Sequence, residues 1–150
     1  MDFSPKKINL YLFLKLPSAF WCGVRVRRID SKQCLVAVKH SWKNQNPFHS
    51  MYFAVQAMGA ELATGALVMY HIEKSGRKIS MLVLNNKATF TKKATGRITF
   101  TCHDGLMIEE GIEKTIASQE SQTVWMHAVG TNEEGETVSD MHFEWTLKLK

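Results

Sequence analysis

The sequence predicts an α+β domain in which an antiparallel sheet wraps one long central helix, over about residues 49–74. Two observations predict it. From Met51 to Ile72, 22 residues carry a single charged side chain, Glu61, so this helix has no polar face to offer water. Much of the remaining chain alternates with period two. The last stretch is the cleanest: Met141, Phe143, Trp145, Leu147 and Leu149 against His142, Glu144, Thr146, Lys148 and Lys150. A helix that is apolar nearly all round needs cover on most sides, and a curled sheet supplies it. The size fits one domain over residues 1–150, with 45% hydrophobic and 22% charged residues, which excludes a disordered chain.

The first 22 residues read as one or two short helices, punctuated by Pro17. Lys6 and Lys7 before the apolar run 8–14 imitate a secretory leader. Lys15 and Pro17 break that run, and bulky Phe20 and Trp21 stand where a cleavage site needs small residues, so a core-covering helix is expected. Gly23 opens a strand pair: Val24 and Val26 alternate with Arg25 and Arg27, Asp30-Ser31-Lys32 turns the chain, and 35–38 is β-rich. A polar, aromatic loop covers 41–49. Ser50 or His49 is expected to cap the central helix.

The length of that helix suits a membrane span, but a carboxylate at its centre is costly in lipid, so no span is expected. Beyond Gly76, the runs 79–84, 88–90 and 98–102 read as strands, with Asn85-Asn86 as a turn or bulge and Ala94-Thr95-Gly96 as a turn. Asp104-Gly105 starts a short helix to about Ala117, with Ile108, Ile112 and Ile116 as its apolar stripe. Strands over 123–131 and from about 137 onward, joined by a hairpin loop at 132–136, close the chain.

Charge divides the chain. Residues 1–50 carry net +7, residues 51–100 net +5 and residues 101–150 net −7. The +5 total therefore conceals a basic front and an acidic back. No RNP, KH, helix-turn-helix or P-loop pattern accompanies the basic part, so nucleic acid is not an expected partner. Three cysteines with no CxxC pair suit reduced thiols and a cytoplasmic location. The six histidines are scattered without zinc spacing, and no metal is expected.

Certain segments carry a family resemblance. These are Leu16-Pro17-Ser18-Ala19-Phe20-Trp21-Cys22-Gly23, then Asn46-Pro47-Phe48-His49-Ser50-Met51-Tyr52-Phe53 with Ala57-Met58-Gly59-Ala60-Glu61-Leu62-Ala63, and finally Phe143-Glu144-Trp145-Thr146-Leu147. In order and spacing they resemble a thioesterase-like group of the hotdog superfamily, a domain of unknown function related to acyl-CoA thioesterases. The resemblance implies a homodimer with sheets joined edge to edge, often paired again into a tetramer. It implies acyl-CoA or acyl-carrier thioesters bound at the dimer interface, and no cofactor other than acyl-CoA as substrate or ligand. In better-studied relatives an Asn and a His-Gly-Gly loop lead into the central helix. A backbone N–H at the helix start polarises the thioester carbonyl, and an acid further along activates water or attacks.

Mapped onto this chain, Glu61 is the expected base or nucleophile, the only acid between Asp30 and Glu73. Burial in an apolar helix should raise its pKa. The amides of Ser50 and Met51 are the expected oxyanion donors, with His49 at the helix start. Asn46 orients water or substrate, or simply serves its turn. Ala57 and Gly65 share a stripe of small residues with Glu61 and leave room beside it. Lys92, Lys93 and Arg97 are candidates for CoA phosphates. Two departures stand out. Ser50 and Met51 replace the glycines, and the position nine residues after His49 is Met58, with Glu61 one helical turn later. Two functions remain open: a thioester hydrolase, and a non-catalytic binder of acyl-CoA or another lipid-like ligand.

Overall fold

The computed structural model describes residues 3–150. Helix α1 (Pro5–Lys15) and the one-turn helix α2 (Pro17–Trp21) each begin with a proline, whose missing N–H costs nothing at a helix start. Strands β1 (Arg25–Ile29) and β2 (Cys34–Lys39) form the expected hairpin. Asp30 builds its turn, with Oδ1 accepting from the amides of Lys32 and Gln33. Helix α3 (Phe53–Ser75) is followed by β3 (Ile79–Phe90), β4 (Arg97–Cys102), α4 (Gly105–Ser118), β5 (Gln122–Thr131) and β6 (Thr137–Leu149).

The six strands form one antiparallel sheet in the order β1-β2-β4-β5-β6-β3. α3 lies against its inner face. Val36, Val38, Ile98, Phe100, Met126, Ala128, Met141, Phe143, Trp145 and Leu147 are all buried there, facing Ala60, Ala63, Leu67 and Val68 of the helix. Gly59 sets how closely they pack. A Cβ on it would lie 2.6 Å from the Phe100 ring, so only glycine allows the helix this near to β4. α3 is long and apolar enough to cross a membrane, but most of it is buried as the axis of this fold.

The segments 79–84 and 88–90 belong to one continuous strand. The register of β3 on β6 slips between Val83 and Asn85, a bulge where the sequence left a turn or a bulge open. The two sheet edges differ. Along β1, the side chain of Asn9 on α1 pairs with the backbone of Val26, donating to its carbonyl at 3.0 Å and accepting from its amide at 2.9 Å. Helix α1 therefore covers that edge. The outer side of β3 is open, with Leu82, Leu84 and Phe90 exposed.

Candidate functional site

The central helix starts later than its sequence suggests. Its N-cap is Tyr52, and neither His49 nor Ser50 caps it. Met51 is held outside the helix: its amide donates to the carbonyl of Ala94, distant in sequence, at 2.8 Å, and it forms an isolated antiparallel bridge with Gln45. The amide of Ser50 donates to Asn46 Oδ1 at 3.3 Å. Both expected oxyanion donors are thus engaged. The amides left without a backbone acceptor at the true helix start are those of Phe53 and Ala54, since Val55 and Gln56 donate to Tyr52.

Asn46 is fully used within its own loop. Oδ1 accepts from the amides of Phe48 and Ser50, and Nδ2 donates to Ser50 Oγ at 3.0 Å. It shapes the turn that delivers the chain to α3. His49 is exposed in a left-handed conformation, φ 59°, at the tip of that turn. Counted from the observed N-cap, Tyr52, Glu61 is nine residues on. Counted from His49, that position is Met58, and Glu61 stands one helical turn further on.

Glu61 is mostly buried, and its carboxyl has no hydrogen bond or ion pair among the described residues. Burial pushes its carboxyl up to about 7. It borders a cleft of about 150 Å³ between α3 and the N-terminal helix, together with Tyr11, Leu12, Lys15 and Met81. Gly65 lines the same cleft one turn beyond Glu61, so these two expected site residues do come together. Ala57 does not line it and packs instead against the core. Sequence reasoning missed Tyr11 and Lys15, because only the docking of α1 brings them beside Glu61. The apolar run 8–14 was the available signal.

A second, wider recess lies at the start of α3, bordered by Asn46, Ser50, Met51, Phe53, Phe90, Lys92 and Lys93. Gln56, buried there, donates to the carbonyl of Met51 at 3.4 Å and leaves its Oε1 without a partner. The basic candidates are only partly free. Lys92 is ion-paired with Glu136 at 2.6 Å, and Lys93 Nζ donates to the carbonyl of Phe48 at 3.4 Å. Arg97 does not border this recess, and its amide donates to Glu133. The three therefore do not converge as one phosphate cradle. Both recesses border the open strand, the Glu61 cleft through Met81 and the helix-start recess through Phe90, whose ring meets that of Phe53 at 6.1 Å.

Comparison with solved structures agrees with this architecture. A Pseudomonas aeruginosa protein of unknown function, called a "Probable Thioesterase", superposes with a TM-score of 0.80 at 20% identity, covering 98% of this chain and 97% of that one. A protein of unknown function from Chlorobaculum tepidum gives 0.84 at 13% identity, over 97% and 94% of the two chains. A thioesterase from Haemophilus influenzae gives 0.72 at 11% identity, over 99% and 93%. At these identities the likeness establishes the fold, which is the hotdog fold of thioesterase-like proteins. No curated protein matches the sequence. The model of one family, "Domain of unknown function (DUF4442)", matches residues 7–147, nearly the whole chain, and the protein belongs to that family.

Proposed function

We propose that the protein hydrolyses acyl thioesters, acyl-CoA or acyl-carrier, with Glu61 as general base or nucleophile. One observation carries this reading: an acid without a partner, raised to about 7, borders an apolar cleft with room beside it. Holding an unpaired carboxyl there costs stability, and a structural residue would not need one. A carboxyl that titrates near neutrality is half ionised at physiological pH and suited to taking a proton from water. The amides of Phe53 and Ala54, at the positive end of α3, take the oxyanion role first expected of Ser50 and Met51.

The acyl group would lie in the cleft beside Gly65 and Met81. Lys93, at the helix-start recess, is the cation best placed for a phosphate of the carrier. We further propose a cytoplasmic homodimer joined through β3, since α1 covers the other sheet edge and both recesses border β3. The test is a panel of CoA thioesters from acetyl to palmitoyl, with aromatic acyl groups, followed by release of free CoA thiol. Turnover that depends on acyl length supports the hydrolase. Saturable binding without turnover on any member would leave the non-catalytic ligand binder.

A further inference from the structure

We propose that His127, Asp140 and His142 form a binding site for a divalent transition-metal cation on the outer face of the sheet, separate from the Glu61 cleft. The backbone register creates it. His127 on β5 stands directly opposite His142 on β6, and Asp140 is two residues before His142 on the same strand. Side chains two apart share a face, so all three project together. Their neighbours Met126, Ala128, Met141 and Phe143 are buried beneath the sheet, which puts the triad on the other side. The histidines look scattered in sequence because only this pairing brings 127 and 142 together.

The distances suit chelation. Asp140 Oδ1 is 2.9 Å from His127 Nε2 and 3.5 Å from His142 Nδ1. One ligand atom from each residue lies within 4.8 Å of the others. A tetrahedral ion with bonds of about 2.0–2.2 Å spaces its ligand atoms roughly 3.4 Å apart. The Asp140–His127 contact therefore opens by about half an ångström to admit the ion. The two imidazoles are stacked, 4.3 Å between centroids and 11° between planes. Each ring must turn about its Cβ–Cγ bond to aim a nitrogen at a shared point. The side chains are 35–41% exposed, which leaves room for that turn and for a solvent ligand in the fourth position.

Two imidazoles and one carboxylate suit zinc, cobalt, nickel or copper rather than magnesium or calcium, which prefer all-oxygen sites. Lys87 comes from β3, in register with His142, and its charge repels a cation there. Asp104 accepts from the amide of His127 at 2.7 Å and fixes the strand that carries this ligand. An ion bound here would clip β5 to β6 without touching Glu61.

Protein freed of metal by chelation and dialysis would be titrated with zinc chloride by calorimetry, with magnesium chloride as control. One zinc per chain, with a rise in melting temperature and no response to magnesium, is the expected result. Loss of an outer-shell partner weakens metal sites by about 10–100-fold, so His127→Gln and His142→Gln should each weaken binding by at least about tenfold. Lys87→Met should tighten it. The histidine ring nitrogens of the unmutated protein, followed by NMR during the same titration, keep the test independent of whether variants fold. Shifts confined to His127 and His142 support the site. Absence of saturable zinc binding, or shifts at other histidines only, would overturn it.

Discussion

Trp145 lies on the bare backbone of Gly65: a Cβ at position 65 would stand 3.1 Å from the indole Cζ2 and 3.5 Å from Glu61 Oε1. The same indole donates from Nε1 to Thr64 Oγ1 at 2.9 Å, and Thr64 Oγ1 in turn donates to the carbonyl of Glu61 at 2.8 Å. Strand β6 thus fixes the helical turn that presents the candidate acid. Gly65→Val would drive branched carbons into both neighbours. Overpacking of this kind costs about 1–3 kcal/mol, so a lower melting temperature is expected, with the Glu61 cleft filled. Unchanged stability and unchanged ligand binding would contradict this packing.

Glu61 makes stability depend on pH in a direction opposite to that of a salt-bridged acid. Its ordinary value is 4.5 and burial raises it to about 7. Between these values the folded state holds a proton that the unfolded state releases, so stability falls as pH rises through this window. The interval corresponds to about 3 kcal/mol as an order of magnitude. Glu61→Gln, which stays neutral, should lose that dependence. It should be more stable than the unmutated protein at pH 8 and similar near pH 4.5, as measured by urea unfolding. A variant less stable at pH 8 would mean that the carboxylate has a stabilising partner.

The cysteines should react unequally. Cys34 and Cys102 are buried and directly opposite each other on β2 and β4, and burial pushes the Cys102 thiol up to about 12 and Cys34 further. Cys22 is partly exposed, and all three are free thiols. A disulfide exchange reagent should label one thiol per folded chain and three after unfolding, because the thiolate is the reactive form. Rapid labelling of two or three in the folded protein would contradict the burial of the pair.

The open strand β3 predicts assembly. Leu82 and Leu84 are 68% and 53% exposed on a strand with one unpaired side. A long, apolar edge of this kind invites pairing with a second copy. The double variant Leu82→Lys, Leu84→Lys should elute with the 17.1 kDa mass of one chain, where the unmutated protein elutes at twice that mass or more, by light scattering. A monomeric unmutated protein would remove the dimer from the proposal.

The parts of this fold governed by local pattern were legible from sequence. The alternation of Met141 to Leu149 set the core face of β6, and the near absence of charge in α3 marked it as the axis. Glu61 stood out because it interrupts that run. What failed depended on pairing distant in sequence. The Met51 amide is held by Ala94, more than forty residues away, and the helix starts at Phe53, with the amides of Phe53 and Ala54 left without a backbone acceptor. Tyr11 and Lys15 line the Glu61 cleft only through the docking of α1, and His127 meets His142 only through strand register. For Asn46 the sequence left a ligand role and a turn role open, and its hydrogen bonds build the turn.

The central claim is that Glu61 performs chemistry, and it is tested most directly by the rate of thioester hydrolysis in Glu61→Gln. The measurement uses the thioester that the unmutated protein turns over best, at pH 8, on protein whose circular dichroism matches the unmutated form. Removing a catalytic base lowers kcat by about 10²–10⁴-fold with the ligand still bound, and for the unmutated protein kcat should rise with pH to half its plateau near 7. A variant that keeps its kcat, or an unmutated protein whose rate ignores pH between 5 and 8, would contradict the account.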